Sequence, residues 1–238
     1  MPPVVFEFEF TFQDGTLQRL VIEVDKGTFL QAAKASAATA PDWTRLEFHQ
    51  CTHCPFNPKD KPHCPVALNL SYLASHFSNR KSFEKVSVRL KTEERWYGKS
   101  TDLQTALQSV FGLSMATSEC PHFDFYRALA RFHLPFATFT ETSVRIFSFY
   151  LMQQFFEAWK DGSPSTTVPV DLNGLTTIHE NLSKVNSGMI RRSRSIGHGD
   201  AGQNALVILD NFAALLPLEI EMGLKEIEVL FKLKKHQL

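Results

Sequence analysis

Only four cysteines, no net charge and no apolar run long enough for a bilayer set the first limits on this 238-residue chain. Lysine plus arginine and aspartate plus glutamate number 25 each, so no global field draws the protein to nucleic acid or an anionic membrane, and general nucleic-acid binding is not expected. The most apolar stretches, 144–156 and 205–218, are broken by Arg145 and Asp210 and fall short of a span of about 20 residues. The first residues alternate Phe6, Phe8 and Phe10 with Glu7 and Glu9 and lack a basic leader, which reads against a secretory signal. No P-loop, G-x-S-x-G or H-E-x-x-H occurs, which disfavours the mainstream P-loop nucleotide and acyl-transfer enzymes. There is no internal repeat and no sustained heptad, and nothing sets an oligomeric state. The expected location is the cytoplasm, where thiols stay reduced and a C-x-x-C pair reads as metal ligation or redox chemistry before a disulfide.

What is present is an ordinary globular composition with an unusual 21 phenylalanines. Phe6 to Phe12 and Leu20, Ile22, Val24 alternate with period two, giving two strands. A three-residue loop over Gln13-Asp14-Gly15, with Gly15 left-handed, pairs Phe8 with Leu20 and Phe6 with Ile22 and so matches the apolar faces. A short helix over 29–37, a strand over 44–48, a helix over 66–77 after Pro65, a strand over 83–96 and a helix from the Thr101–Gln104 capping box to about Met115 complete the first half. Beyond Cys120 the pattern is helical: a helix from Pro121 to about Arg131, a long one capped at Thr138 and nearly surrounded by protein, then helices over 172–190, 205–216 and 219–235. A Gly/Ser/Arg loop is expected between Ser187 and Gly202. The predicted fold class is α+β, a small sheet of about four strands with helices on one face, followed by a mainly α-helical half. The regions are 1–118 and 119–238, or one continuous domain clamped by the cysteines.

Cys51-Thr52-His53-Cys54-Pro55 forms a chelating pair, Cys64-Pro65 follows after nine residues, and Cys120-Pro121 lies far downstream. These four are the candidate metal ligands, with His53, His63 and His122 in reserve. Cys64 and Cys120 each precede a proline at a helix start, so the helix dipole favours the thiolate that a metal needs. Joining residue 120 to the 51–64 loop would also tie the two halves together.

Zinc in a closed site of four cysteines is the leading occupant. An iron–sulfur cluster, which needs the same thiolates, is the alternative, although the spacing matches neither ferredoxin pattern. Cysteines interspersed with Pro, Lys and His do not look like unliganded core. Over four residues the C-x-x-C resembles that of thioredoxin-like oxidoreductases, but there the first cysteine opens a helix, and Pro55 and Pro58 would break it. The function expected is therefore a metal-binding regulatory or binding module that acts through a protein partner. A redox protein using a cluster or the Cys51/Cys54 dithiol is the rival.

Arg127, Arg131 and His133 can line an anion pocket, weighed against a simple Asp124–Arg127 ion pair. Glu141 and Arg145 have ion-pair spacing on a helix. Arg191 to Arg194 read as a solvated loop segment rather than an anion grip. The segments C-x-x-C-P from 51, H-C-P-x-A-x-N-L from 63, S-x-C-P-H from 118 and Ala-Arg-Phe-His-Leu-Pro-Phe-Ala from 130 are similar to an uncharacterised bacterial family of unknown function. The resemblance implies a cytoplasmic bacterial protein with the four cysteines as a unit, and no mechanism.

Overall fold

Alternating phenylalanines build the floor of the molecule. The computed structural model describes residues 2–32, 39–159, 171–195, 200–222 and 224–231. Strands β1 (Val4–Phe12) and β2 (Leu17–Val24) form an antiparallel hairpin in which Phe8 faces Leu20 and Phe6 faces Ile22, the register expected from matching apolar faces. Gly15 takes φ of +81°, closing the three-residue loop where a side chain would be strained. β3 (Lys85–Lys91) pairs with the other side of β1, and β4 (Trp96–Asp102) with β3, giving a four-stranded antiparallel sheet of order β2-β1-β3-β4. Phe6, Phe8, Phe10, Leu20, Ile22, Val88 and Leu90 are buried on one face, while Glu7 and Arg89 of the other face meet solvent.

Helices α1 (Pro65–His76) and α2 (Leu103–Ala116) cover the apolar face. Helix α2 then packs against α6 (Ala201–Glu221), which pairs with α5 (Asn173–Ser193). The main core runs without a break from Val4 to Leu206 and so includes side chains of both halves. A smaller cluster centred on Leu129, Ile146, Phe147, Tyr150, Leu175 and Leu216 joins α3 (Asp124–Arg131) and α4 (Phe139–Trp159) to α5 and α6.

Several expectations need correction. The segment 44–48 is no strand: Asp42–Thr44 is a 3-10 turn, and only an isolated bridge joins Arg45 to His63. The fourth strand is β4, an exposed edge whose Gly98, Lys99 and Ser100 carry little strand propensity, so the 83–96 strand is really a strand, a turn and the start of another. Residues 29–32 are not helical, Phe29 being left-handed and Gln31 bridging Val24, and 33–37 of that expected helix lie outside the described residues. Asp102, not Thr101, caps α2, its carboxylate accepting from Thr105 N–H at 3.0 Å. Helix α4 does have the Thr138/Glu141 capping box, with bonds of 3.2 and 2.8 Å, yet it is not surrounded: Leu151, Met152, Phe155, Phe156 and Trp159 are exposed.

Helix α6 is longer than the 205–216 expected, and among the described residues it is the one helix long and apolar enough to cross a membrane by length and composition. Its Asp210 carboxylate accepts from Ser183 Oγ of α5 at 2.9 Å. Helix α5 continues to Ser193, where a loop from Ser187 was expected, and 196–199 lie outside the described residues. The 219–235 helix is reduced to short turns over 225–231, with 232–235 outside the described residues.

Candidate metal centre

Helix starts fix two of the four thiols. Cys64 is the N-cap of α1 with Pro65 in the first turn, and Cys120 precedes the 3-10 turn Pro121–Phe123 that leads into α3. Neither sulfur closes a standard capping hydrogen bond. The N–H groups of Val66 and Ala67 nonetheless favour the Cys64 thiolate, as does the His122 N–H for Cys120. The loop is closed by two rungs, Cys64 N–H to the Thr44 carbonyl and Leu46 N–H to the Pro62 carbonyl, both 2.8 Å. Cys54 N–H donates to the Cys51 carbonyl at 3.0 Å, curling the pair into a turn. Lys61 and Glu119, 2.5 Å apart, tie the lysine-bearing excursion to the residue beside Cys120.

All four thiols are free; Cys64 and Cys120 are buried, Cys51 and Cys54 half-buried. Burial pushes the Cys51 thiol up to about 11, with Cys64 and Cys54 adding to it and Arg192 opposing. Burial likewise pushes Cys120 up to about 12, opposed by the His122 N–H and reinforced by the other three sulfurs. Cys64 is raised for the same leading reason. Every pair among the four is thus within electrostatic reach. Among the described residues no group of three or more His, Cys, Asp or Glu is arranged to hold a metal ion, so the sulfurs form a neighbourhood and not a coordination sphere.

Arg192, which its polar sequence neighbours would place in a solvated loop, sits against this neighbourhood. It is 1% exposed on the last turn of α5. Its Nη1 donates to the carbonyls of Trp43 and Arg45 at 2.6 and 2.7 Å, its Nη2 to that of Leu46 at 3.0 Å, and its Nε has no partner. No carboxylate forms an ion pair with it among the described residues. Carbonyls solvate a guanidinium but do not neutralise it. Burial lowers its pKa, and the groups that oppose burial are Cys64, Cys51 and Cys54. A clue was present in the sequence: Val185, Gly188 or Met189, and Arg192 recur at helical spacing, which puts the arginine on a buried stripe.

Gly188, one turn earlier on α5, has no room for a side chain. A Cβ there would stand 2.9 Å from Cys51 Sγ and 3.6 Å from the His49 carbonyl. The helix backbone therefore lies directly on Cys51.

The reserve histidines divide. His53 and His122 stack with ring centroids 4.1 Å apart, His122 Nε2 near the His53 carbonyl at 3.2 Å and His53 Nε2 near the Asn181 carbonyl at 3.1 Å. Burial lowers the His53 pKa, and its Nδ1 is buried without a partner. His63 Nδ1 is instead taken by the Thr44 hydroxyl at 2.8 Å.

Arg127, Arg131 and His133 take three different sets of contacts. Arg127 pairs with Asp124 at 2.8 Å and donates to the Ser118 and Cys120 carbonyls, stapling the turn that carries Cys120. Arg131 faces Glu94 at 3.6 Å, and His133 Nε2 lies 3.0 Å from Ser109 Oγ. The Glu141–Arg145 pair does not form: Glu141 caps α4, and Arg145 donates to the Leu129 and Phe132 carbonyls.

Fold and site define an α+β protein with a buried thiol-rich centre flanked by a carbonyl-bound guanidinium. Residues 6–232 match a family profile described as a domain of unknown function (DUF6901), and the chain belongs to that family. No curated protein and no solved structure matches it.

Proposed function

We propose that Cys51, Cys54, Cys64 and Cys120 bind a metal, zinc in the first place, and that the chain is a cytoplasmic binding or regulatory module acting through a protein partner. The observation that carries this reading is Arg192, a buried cation with no acidic partner among the described residues, beside Cys64, Cys51 and Cys54. A buried charge is costly unless an opposite charge accompanies it. Four thiolates around a divalent ion carry a net charge of about −2, which would supply that partner. Bringing the sulfurs onto one ion would clamp the 42–64 loop to the α3 entry and to α5. Such binding contributes on the order of 10 kcal/mol to folding where the apo site is unformed. Four protein ligands leave zinc no open position, which argues against hydrolysis and for a structural role. The exposed Phe155, Phe156 and Trp159 of α4 support a partner surface.

The second reading is an iron–sulfur cluster, which needs the same four thiolates. A cluster spreads its thiolates over several irons and accepts a wider set. Anaerobic purification, metal and sulfide analysis and a visible spectrum decide between them. A colourless protein with one zinc per chain supports the first reading. A brown one with iron and labile sulfide supports the second, and a stably folded protein that binds neither after reconstitution overturns both.

A further inference from the structure

Helices α2 to α6 line a cavity of about 180 Å³. Its wall is mostly leucine, phenylalanine and alanine, interrupted by nine side chains with polar groups, among them Ser109, Tyr126, His133, Arg145 and His179. Four of these satisfy one another. The Tyr126 hydroxyl donates to His179 Nε2 at 2.6 Å while His179 Nδ1 bonds the Leu175 carbonyl at 2.9 Å, and Ser109 Oγ meets His133 Nε2 at 3.0 Å. Burial holds His179 at about 4 and His133 at about 3, so both rings are neutral at pH 7.

Among the described residues Arg145 is then the one charged side chain on the wall. Its Nη2 bonds two backbone carbonyls, and no carboxylate forms an ion pair with it among the described residues. Burial lowers its pKa, opposed by Tyr97. A comparable apolar cavity of about 150 Å³ admits a benzene-sized guest. Gln108, Thr142 and Phe212 are partly exposed where they line it, so the cavity has an edge at the surface.

We propose that this cavity is a binding site for a small carboxylic acid with a compact aromatic or branched aliphatic body, the body filling the apolar space and the carboxylate pairing with Arg145. A guanidinium fork matches a carboxylate in two parallel hydrogen bonds, which a neutral guest of the same shape cannot make. The site is separate from the cysteines and does not depend on what they bind.

The test is calorimetric titration of the protein as purified at pH 7 with benzoate, with toluene as the neutral probe of equal size. Benzoate is expected to bind saturably at one site and on the order of ten- to a hundredfold more tightly than toluene. Arg145→Met should remove that advantage and leave toluene unchanged. Because Arg145 also ties α4 to the Leu129 and Phe132 carbonyls, a second variant, Ala213→Leu, narrows the cavity without touching the charge and should abolish binding of both probes. The proposal is overturned if benzoate shows no saturable binding, binds no better than toluene, or binds a folded Ala213→Leu protein as it does the parent.

Discussion

Arg192→Met separates two roles for the buried guanidinium. As a hydrogen-bond donor, Arg192 holds the Trp43, Arg45 and Leu46 carbonyls at 2.6 to 3.0 Å. Methionine fills most of the same volume and leaves those carbonyls without that donor. Hydrogen bonds to a charged group contribute about 1.5–3 kcal/mol each and do not add fully, so a loss of about 3–5 kcal/mol is expected, a large share of a typical domain's stability. If that were the whole role, metal-loaded and metal-free protein would lose the same amount and the metal affinity would stay constant.

As a counter-charge, Arg192 does more. At an effective dielectric of about 20, opposite unit charges about 7 Å apart attract by roughly 2 kcal/mol, and a tetrathiolate zinc carries about two negative charges. Removing the guanidinium should then weaken zinc on the order of a hundredfold or more. Competition against a chromophoric chelator at pH 7 measures the affinity, and urea unfolding with and without chelator measures the stability. Arg192→Lys keeps the charge but cannot reach three carbonyls, so it should lose stability while keeping most of the affinity. Zinc affinity unchanged in Arg192→Met, with equal destabilisation of both forms, would refute the counter-charge and the anionic centre inferred from it.

Gly188→Ala, ordinarily stabilising in a helix by about 1 kcal/mol, should instead destabilise by about 1–2 kcal/mol and weaken zinc, because its Cβ meets Cys51 Sγ at 2.9 Å; equal or greater stability in a melt would show that Cys51 is free to move. His179 is buried neutral with its pKa lowered from 6.5 to about 4, so the unfolded chain takes the proton first. Its contribution is complete above pH 6.5 and is lost as pH falls toward 4, by about 3 kcal/mol in all. His179→Gln should flatten that part of the stability–pH curve, and an unchanged slope would count against the burial of a neutral ring. Phe10→Ala, at a fully buried sheet position, should cost about 3–5 kcal/mol in urea unfolding; a cost under about 1 kcal/mol would contradict the core.

The parts of the fold that were legible are those where side-chain period and turn chemistry agree. The β1–β2 register followed from Gly15 and two apolar sets that match in only one pairing, and α1 from Pro65 after a turn. The errors have physical causes. Leu46 is buried, as an apolar strand residue would be, but loop contacts bury it: its N–H goes to Pro62 and its carbonyl to Arg192. β4 was hidden because an edge strand need not be apolar. The phenylalanines of α4 looked like a central helix, yet composition alone cannot distinguish a surrounded helix from one with apolar side chains exposed.

The candidate site was legible by half for a related reason. A ligand set is local chemistry: thiols, prolines and spacing are visible in the chain, and the four cysteines do come within electrostatic reach of one another. A counter-charge is a tertiary property. An arginine in Arg191-Arg192-Ser193-Arg194 looks solvated because its neighbours in sequence are polar, and only the path of α5 over Cys51 shows that one member of the run turns inward. That path needs Gly188, whose missing Cβ lets the helix lie on the sulfur, so the glycine and the arginine one turn later act as one device. A chain that buries a cation here without burying an anion would pay a desolvation cost that three carbonyls only partly offset. If the cysteines hold an anionic metal centre, the position of Arg192 ties its charge to the packing of α5, and changes at either Gly188 or Arg192 should be felt first at Cys51.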